Sequence, residues 1–241
     1  MSDKINNKNE QSLDDELENQ VQEEGGEVSF IQKYGKLIAI AAVAVVAIVA
    51  VAYYFTYTSN KNKEEAALAL SRIRPYFDKE EYARALFGGD SVPTVRGEKV
   101  LGLVKIVEEY SSTPSGAIAA LLAGEAYLAL DKVSEARKYF EIATKAKSDE
   151  VAKGGYAGLA VCSEKNNNLS GAAENYEKAS ELAIDPTSKG RYLLFAGICY
   201  ARMGEKDRAI EHLTMIAKNR DYAEFANAAK IELARLGTII E

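Results

Sequence analysis

A single unbroken apolar stretch dominates the first quarter of the chain. Residues 37–57 read LIAIAAVAVVAIVAVAYYFTY, 21 positions without a charged side chain. A helix of this length rises about 32 Å, which matches a hydrocarbon core of about 30 Å. Lys33 and Lys36 precede the stretch, Lys61 and Lys63 follow it, and aromatic residues crowd its second end, as at membrane interfaces. The pattern predicts a transmembrane helix.

Two alternatives compete with a retained anchor. A buried core helix seldom runs this far without a polar face. Ala50-Val51-Ala52 resembles a signal-peptide cleavage site, but the stretch exceeds the ~7–15 residues of a signal core, and an acidic leader precedes it. We therefore expect the anchor to be retained. The flanking basic residues are too evenly divided for the positive-inside rule to set its orientation.

After the anchor, apolar residues recur at spacings of three and four, which favours helices over strands. Pro75 is expected to kink the first of these helices, and residues 88–93 give the strongest loop signal. The predicted helices are 63–86, 96–111, 117–130, 133–146, 153–165, 169–183, 189–203, 206–218 and 222–236.

Three stretches of the later chain repeat one order of small and large residues. GEAYLALDKVSEARKYFEIA from Gly124, AVCSEKNNNLSGAAENYEKA from Ala160 and GICYARMGEKDRAIEHLTMI from Gly197 align at offsets of 36 and 37 residues. Small residues let paired helices cross closely, and large ones fill the gap toward the next pair. This pattern matches the tetratricopeptide repeat, whose period is about 34 residues, and a generic helical bundle is the alternative. The aligned later positions are Ala136, Ala172 and Ala209, then Phe140, Tyr176 and Leu213, then Ala143, Ala179 and Ile216.

The predicted fold class is all-α, with a single N-terminal transmembrane helix followed by a tetratricopeptide-type solenoid of helical hairpins. We expect an acidic, disordered tail at 1–36 and the transmembrane helix at 37–57. Leading helices with a degenerate repeat occupy 58–112, and the repeats with a closing helix occupy 113–241.

The charge is concentrated in the tail. The chain carries 30 basic and 36 acidic residues, a net charge of -6. Residues 1–30 hold 2 basic and 9 acidic side chains, so the tail accounts for -7 of charge, and the chain from Thr58 onward is nearly neutral at -1. A nucleic-acid-binding protein is usually basic, so this balance argues against nucleic acid as a partner.

The residue types needed for catalysis are scarce. His212 is the only histidine, so the chain completes neither a His-dependent triad nor a two-histidine metal site. A half-packed surface position is the expected role of this residue. The glycines at 88–89 lack the lysine and hydroxyl of a phosphate-binding loop. We predict no enzyme activity, cofactor, metal or small-molecule substrate.

The whole order of segments resembles a known family. An acidic tail, then FIQKYGKLIAIAAVAVVAIVAVAYYF, then a tetratricopeptide domain is similar to the YfgM-like ancillary subunits of the bacterial Sec translocon, and the region DKEEYARALFGGDSVPTVRGEKVLGLVKIVEEYSSTPSGAIAALLAGEAYLAL is similar too. The resemblance implies a single-pass protein of the bacterial inner membrane, with a cytoplasmic N-terminus and periplasmic repeats. It also implies translocon subunits, periplasmic chaperones or secreted polypeptides as partners.

In tetratricopeptide arrays the first helix of each pair lines a concave face. The repeat alignment places an apolar stripe there, which would form a groove for an amphipathic or unfolded segment if exposed, and core if buried. We call these positions the concave stripe. Its residues are Ile118, Leu121, Glu125, Leu128, Ala157, Val161, Glu164, Arg191, Leu194, Ile198 and Arg202.

The two cysteines occupy equivalent positions of neighbouring repeats. Cys162 and Cys199 each follow the small residue of the alignment by two positions. Neighbouring helix axes pack about 8–10 Å apart, whereas a disulfide needs Cα atoms within about 7 Å. We therefore predict two separate, buried thiols.

Three classes of function fit unequally. A membrane-tethered binding module for the translocon or secreted proteins is favoured. A structural scaffold of an envelope complex, in cell division or outer-membrane assembly, is the alternative. An enzyme is the weakest, because it needs residues that the sequence lacks.

Overall fold

The computed structural model describes the backbone of residues 3–95 and 97–240, and the side chains of residues 33–95 and 97–240. Within this part the chain is helical and forms no β-strand. It divides into two compact units, Met1–Thr58 and Ser59–Glu241. The helices are α1 (Asp3–Asp78), α2 (Tyr82–Phe87), α3 (Leu103–Tyr110), α4 (Pro114–Ala129), α5 (Val133–Ala143), α6 (Asp149–Lys165), α7 (Leu169–Leu182), α8 (Pro186–Met203), α9 (Lys206–Lys218) and α10 (Ala223–Arg235).

The apolar stretch lies inside α1. By length and composition, the part of α1 over Lys33–Asp78 is the one described helix that could cross a membrane, with a mean hydropathy of 2.7 in its most apolar window. Its large apolar side chains are exposed, as Val43 at 70% and Ile48 at 68% illustrate. This exposure is inconsistent with a buried core helix and agrees with a membrane-spanning segment.

The acidic segment differs from the expectation of disorder. Because α1 begins at Asp3, the structure gives this segment a helical backbone continuous with the apolar stretch. Extending an existing helix avoids the cost of nucleation, and the segment is rich in Glu and Gln, which favour helix. Its side chains up to residue 32 lie outside those described.

The second unit is built from consecutive helices that pack in chain order. Each helix from α3 to α9 contacts the helix that follows it. Contacts between α4 and α6, and between α8 and α10, join helices two apart. Two apolar clusters form the core, one from the end of α1 through α6 and one from α6 through α10. The core therefore extends along the series of helices.

Side-chain caps define three of the helix starts. Thr113 Oγ1 accepts a hydrogen bond from Gly116 N at 3.0 Å, and Asn168 Oδ1 accepts one from Gly171 N at 3.1 Å. Asp185 Oδ1 accepts one from Ser188 N at 2.7 Å. Each cap satisfies an amide that the first turn leaves unpaired. These caps begin α4, α7 and α8.

The residues singled out by the repeat alignment occupy the core. Each of them is buried, which is the role that the alignment assigns to them. The small residues are Gly124, Ala160 and Gly197, and the later positions are Ala136, Ala172, Ala209, Phe140, Tyr176, Leu213, Ala143, Ala179 and Ile216.

Phe140 shows how small and large residues fit together. Its ring lies on α5, between Gly124 of α4 and Gly158 of α6. A Cβ atom added to Gly124 would lie 2.7 Å from the ring, and one added to Gly158 would lie 2.3 Å from it. The ring is 1% exposed and has a helix on either side, so it cannot retreat from one glycine without approaching the other.

The helix predicted over 96–111 is wrong in its first part, because α3 begins only at Leu103. Residues 97–102 form a loop, in which Leu101 makes an isolated β-bridge with Gly88 at the end of α2. A Cβ atom on Gly102 would lie 2.4 Å from the carbonyl oxygen of Leu86, so the loop backbone passes directly against that helix. The helix predicted over 63–86 is likewise interrupted, between α1 and α2.

We predict that Gly158→Ala destabilises the protein. The added methyl group overlaps a ring that has no room to move, which costs about 1–3 kcal/mol and exceeds the gain of about 1 kcal/mol from replacing a helical glycine. Gly197→Ala is the matched control, because its Cβ would lie 3.1 Å from Leu213 Cδ2, the flexible end of a side chain. Thermal unfolding of the full chain should show a lower Tm for Gly158→Ala alone. Equal Tm values for the two variants would contradict this packing.

Candidate functional site

The concave stripe lies on three alternate helices, α4, α6 and α8. Most of its side chains are half-buried, so they combine packing with access to solvent. An apolar surface of this kind is typical of interaction sites. The half-buried members are Ile118, Leu121, Leu128, Ala157, Val161, Glu164 and Ile198, and the exposed members are Glu125, Arg191 and Arg202.

Leu194 departs from the groove interpretation. It is 6% exposed and belongs, with Leu193, to the second apolar cluster. Leu194 therefore has the alternative role and packs in the core. The reason is tertiary: α8 packs against α7, α9 and α10, so most of its circumference is covered.

Glu164 connects two helices of the stripe. Arg202 Nη1 of α8 lies 3.1 Å from its Oε1 atom, and the Tyr176 hydroxyl of α7 donates a hydrogen bond to its Oε2 atom at 2.8 Å. The Cys199 thiol lies 3.9 Å from Oε1. Burial and the hydrogen bond to Glu164 both raise the pKa of Tyr176, so the phenol stays protonated and remains a donor. The structure thus joins two predicted stripe residues, Glu164 and Arg202, in one polar contact.

A second polar cluster lies between α7, α8 and α9. Glu177 Oε1 lies 3.0 Å from His212 Nε2 and 3.4 Å from Arg208 Nη2. The Arg208 guanidinium carbon lies 3.9 Å from the centre of the Tyr200 ring, a cation–π contact. His212 is therefore half-buried and contacts Glu177, which agrees with the half-packed surface position expected for it. This cluster holds helices together and offers no open site.

Glu125 is the one acidic residue of the stripe on α4. Burial raises the pKa of its carboxyl group, and the positive charge of Arg74 partly opposes that rise. Although the residue reaches solvent, its carboxylate is therefore less favourably solvated than in the unfolded chain. A ligand group that donates a hydrogen bond to Glu125 would relieve this cost.

Both cysteines are free and buried, which confirms the prediction of separate thiols. Cys162 belongs to the first apolar cluster and Cys199 to the second. Burial, together with the negative charge of Glu164, raises the pKa of Cys199 to about 11. Burial also raises the pKa of Cys162. Both thiols are protonated at neutral pH and therefore poor nucleophiles.

The described residues contain no group of three or more His, Cys, Asp or Glu side chains that could hold a metal ion. Burial dominates the elevated pKa values of the cysteines, so these thiols have the character of packed side chains. The polar groups of the stripe are suited to hydrogen bonding and ion pairing with a bound chain.

The structure also has a cleft at one edge of the helical array, which the sequence pattern does not predict. It lies between α3, the start of α4 and the connection from α5 to α6, and of the concave stripe only Ile118 lines it. No motif marks it, because residues from four helices and two connections come together only on folding.

The chain matches no protein-family model, and comparisons with curated proteins and with solved structures found no significant match.

We predict that Glu125→Gln stabilises the protein at neutral pH. Because the folded state raises the pKa of this carboxyl group, the folded chain holds more protons than the unfolded chain just above the ordinary value of about 4.3. Stability contributed by this group therefore falls as pH rises through that window. The variant should match the parent at about pH 3.5 and exceed it at about pH 7, in denaturant unfolding of the full chain.

Glu211→Gln, an exposed site on α9, is the control for the loss of one charge. If the free energy of unfolding of Glu125→Gln differed from that of the parent by the same amount at every pH, the raised pKa of Glu125 would be contradicted.

Proposed function

We propose that this chain is a membrane-anchored periplasmic tetratricopeptide module that binds proteins. In this role it assists the Sec translocon or periplasmic chaperones in handling secreted polypeptides. The apolar part of α1 anchors it in the bacterial inner membrane as a single pass. The acidic segment lies in the cytoplasm, and the helical unit lies in the periplasm.

The anchor supports the membrane part of this proposal. The stretch 37–57 is long enough to span a bilayer, and its large apolar side chains are exposed. Exposed apolar surface of this extent is costly in water and is favourable in lipid.

The helical unit supports the binding part. The twelve aligned positions of the three repeats are buried, and consecutive helices pack in chain order. These features are expected of a tetratricopeptide array. The observation that carries the proposal is that the concave stripe keeps apolar side chains such as Val161 and Ile198 half-exposed, with Glu164 and Arg202 paired beside them.

The orientation of the chain can be tested directly. We predict that protease added to spheroplasts digests residues 58–241 and spares residues 1–36. The protease cannot cross the bilayer, so it does not reach the acidic segment on the cytoplasmic side. Antibodies against tags at each terminus report the result, and lysed spheroplasts provide the control in which both ends are digested. Digestion of the N-terminal tag alone would overturn the assigned orientation.

The stripe can be tested by crosslinking in intact cells. We predict that a photoreactive amino acid at Ile198 forms adducts with translocon subunits, periplasmic chaperones or secreted polypeptides. Met215 is the matched control, because it is an apolar residue, 47% exposed, on α9 and outside the stripe. Mass spectrometry of the adducts identifies the partners. Stable adducts with cell-division or outer-membrane assembly proteins would instead support the scaffold function, and equal adducts from both sites would remove the stripe as the binding surface.

A further inference from the structure

The cleft at the edge of the array consists of two adjoining cavities, of about 620 and 770 Å³. Both lie in the unit Ser59–Glu241. One extends between α3 and α5, and the other extends over the start of α4 toward the start of α6. They share a border, so together they form one continuous surface, which we call the lysine-rimmed cleft. The shared residues are Ser111, Ser112, Ala117, Lys145 and Ala146.

The floor of the cleft is apolar. Val107 is 5% exposed, Ala117 is 7% exposed and Val151 is 8% exposed, so the floor is continuous with the first core cluster. Ile142 and Ile118 contribute half-buried side chains to its walls. An apolar side chain placed here would leave water and contact a preformed surface.

The rim is positively charged and uncompensated. Lys138, Lys145 and Lys147 line the cleft and are exposed. Among the described residues none of these three lysines has an ion-pair or hydrogen-bond partner, whereas Lys99 and Lys165 each pair with an aspartate. Three unpaired ammonium groups beside an apolar floor give the cleft a local positive charge on a unit whose overall charge is near neutral.

The one carboxylate that lines the cleft does not neutralise this rim. Glu108 lies at its α3 edge, where its Oε2 atom is 3.3 Å from Lys105 Nζ on the same helix. Lys105 also lies 3.6 Å from Glu109 Oε1, so these three residues together carry one net negative charge. The three unpaired lysines outweigh this charge, and the cleft keeps a net positive charge. The cleft is therefore complementary to a ligand with carboxylates and apolar groups.

The spacing of the lysines distinguishes a chain from a single headgroup. Lys138 and Lys145 are seven residues apart, which places them on one side of α5 and its end, about 10 Å apart along the axis. A polypeptide carries carboxylates at intervals of this size, so a separate carboxylate can pair with each lysine. A fatty acid has an apolar tail and one charge, so it matches the floor and only part of the rim.

We propose that the lysine-rimmed cleft binds an acidic polypeptide segment in which carboxylates alternate with apolar side chains. The apolar side chains occupy the floor, and the carboxylates pair with Lys138, Lys145 and Lys147. This inference rests on the proposed function as a protein-binding module and adds a second surface, with its own charge preference, to the concave stripe.

The test measures peptide binding by the full chain in nanodiscs of phosphatidylcholine. The probe is a short fluorescent peptide of glutamate and leucine with serine spacers. Its binding is measured by fluorescence anisotropy. One comparison peptide has lysine in place of each glutamate, and another has serine in place of each leucine. Oleate is added as a competitor to test for a lipid ligand.

The decisive variant is Lys138→Gln, Lys145→Gln and Lys147→Gln together. Its matched control, Lys132→Gln, Lys218→Gln and Lys230→Gln, removes the same charge from exposed positions outside the cleft. We expect the glutamate–leucine peptide to bind the parent and the control equally and the cleft variant about tenfold more weakly, from three modest ion pairs. Added salt should weaken binding to the parent. Both comparison peptides should bind more weakly than the probe.

The inference would be overturned if the glutamate–leucine peptide bound the cleft variant and the control variant equally. It would also be overturned if the lysine–leucine peptide bound the parent as tightly as the glutamate–leucine peptide does. Oleate binding to the cleft without peptide binding would assign the cleft to a lipid and overturn it as well. The proposed function has a separate readout: protein adducts at Ile198 that persist in the cleft variant would sustain it even when the cleft fails to bind peptide.

Discussion

The packing of one aromatic ring between two glycines is the constraint on which the helical unit depends. Phe140 fills the space between α4 and α6, and Gly124 and Gly158 let both helices come close enough to bury it. The ring thereby sets the distance between alternate helices and closes the first apolar cluster. Because α4 and α6 also carry the concave stripe, the same contact sets the separation of the residues proposed to bind a partner. In the next repeat Tyr176 takes the equivalent place and adds a hydroxyl that holds Glu164.

The polar contacts have a different part in the structure. The pair Glu164–Arg202 is partly exposed, so it contributes little to stability, but it orders two charged groups along the stripe. The cluster around Glu177 and His212 links α7 to α9 in the same way. Apolar packing thus fixes the helices, and the charged groups then give their surfaces a pattern that a partner can recognise.

Two surfaces of one unit differ in the ligand they suit. The concave stripe offers half-buried apolar side chains beside the Glu164–Arg202 ion pair, whereas the lysine-rimmed cleft offers an apolar floor beside unpaired lysines. If a partner occupied both proposed surfaces, binding at one would raise the effective concentration at the other.

The sequence by itself determined the apolar stretch, the helical character of the rest and the buried positions of the repeat. Each of these follows from a pattern that can be read along the chain. The patterns are a run without charges, a spacing of three and four, and a repeated order of small and large residues. The residues from 206 to 218 illustrate this, because the predicted and observed helix coincide.

Only the tertiary structure decided which stripe residues are exposed and where the cleft lies. Leu194 and Ile198 are one helical turn apart on α8 and similarly apolar, yet the helices packed against α8 bury the first and leave the second half-exposed. Periodicity also did not predict the loop before Leu103, because the path of this loop depends on the close approach of Gly102 to α2. The exposure of a residue and the position of a cavity depend on which surfaces other helices cover. Those contacts join residues far apart in the chain, so the local pattern of a single sequence does not show them.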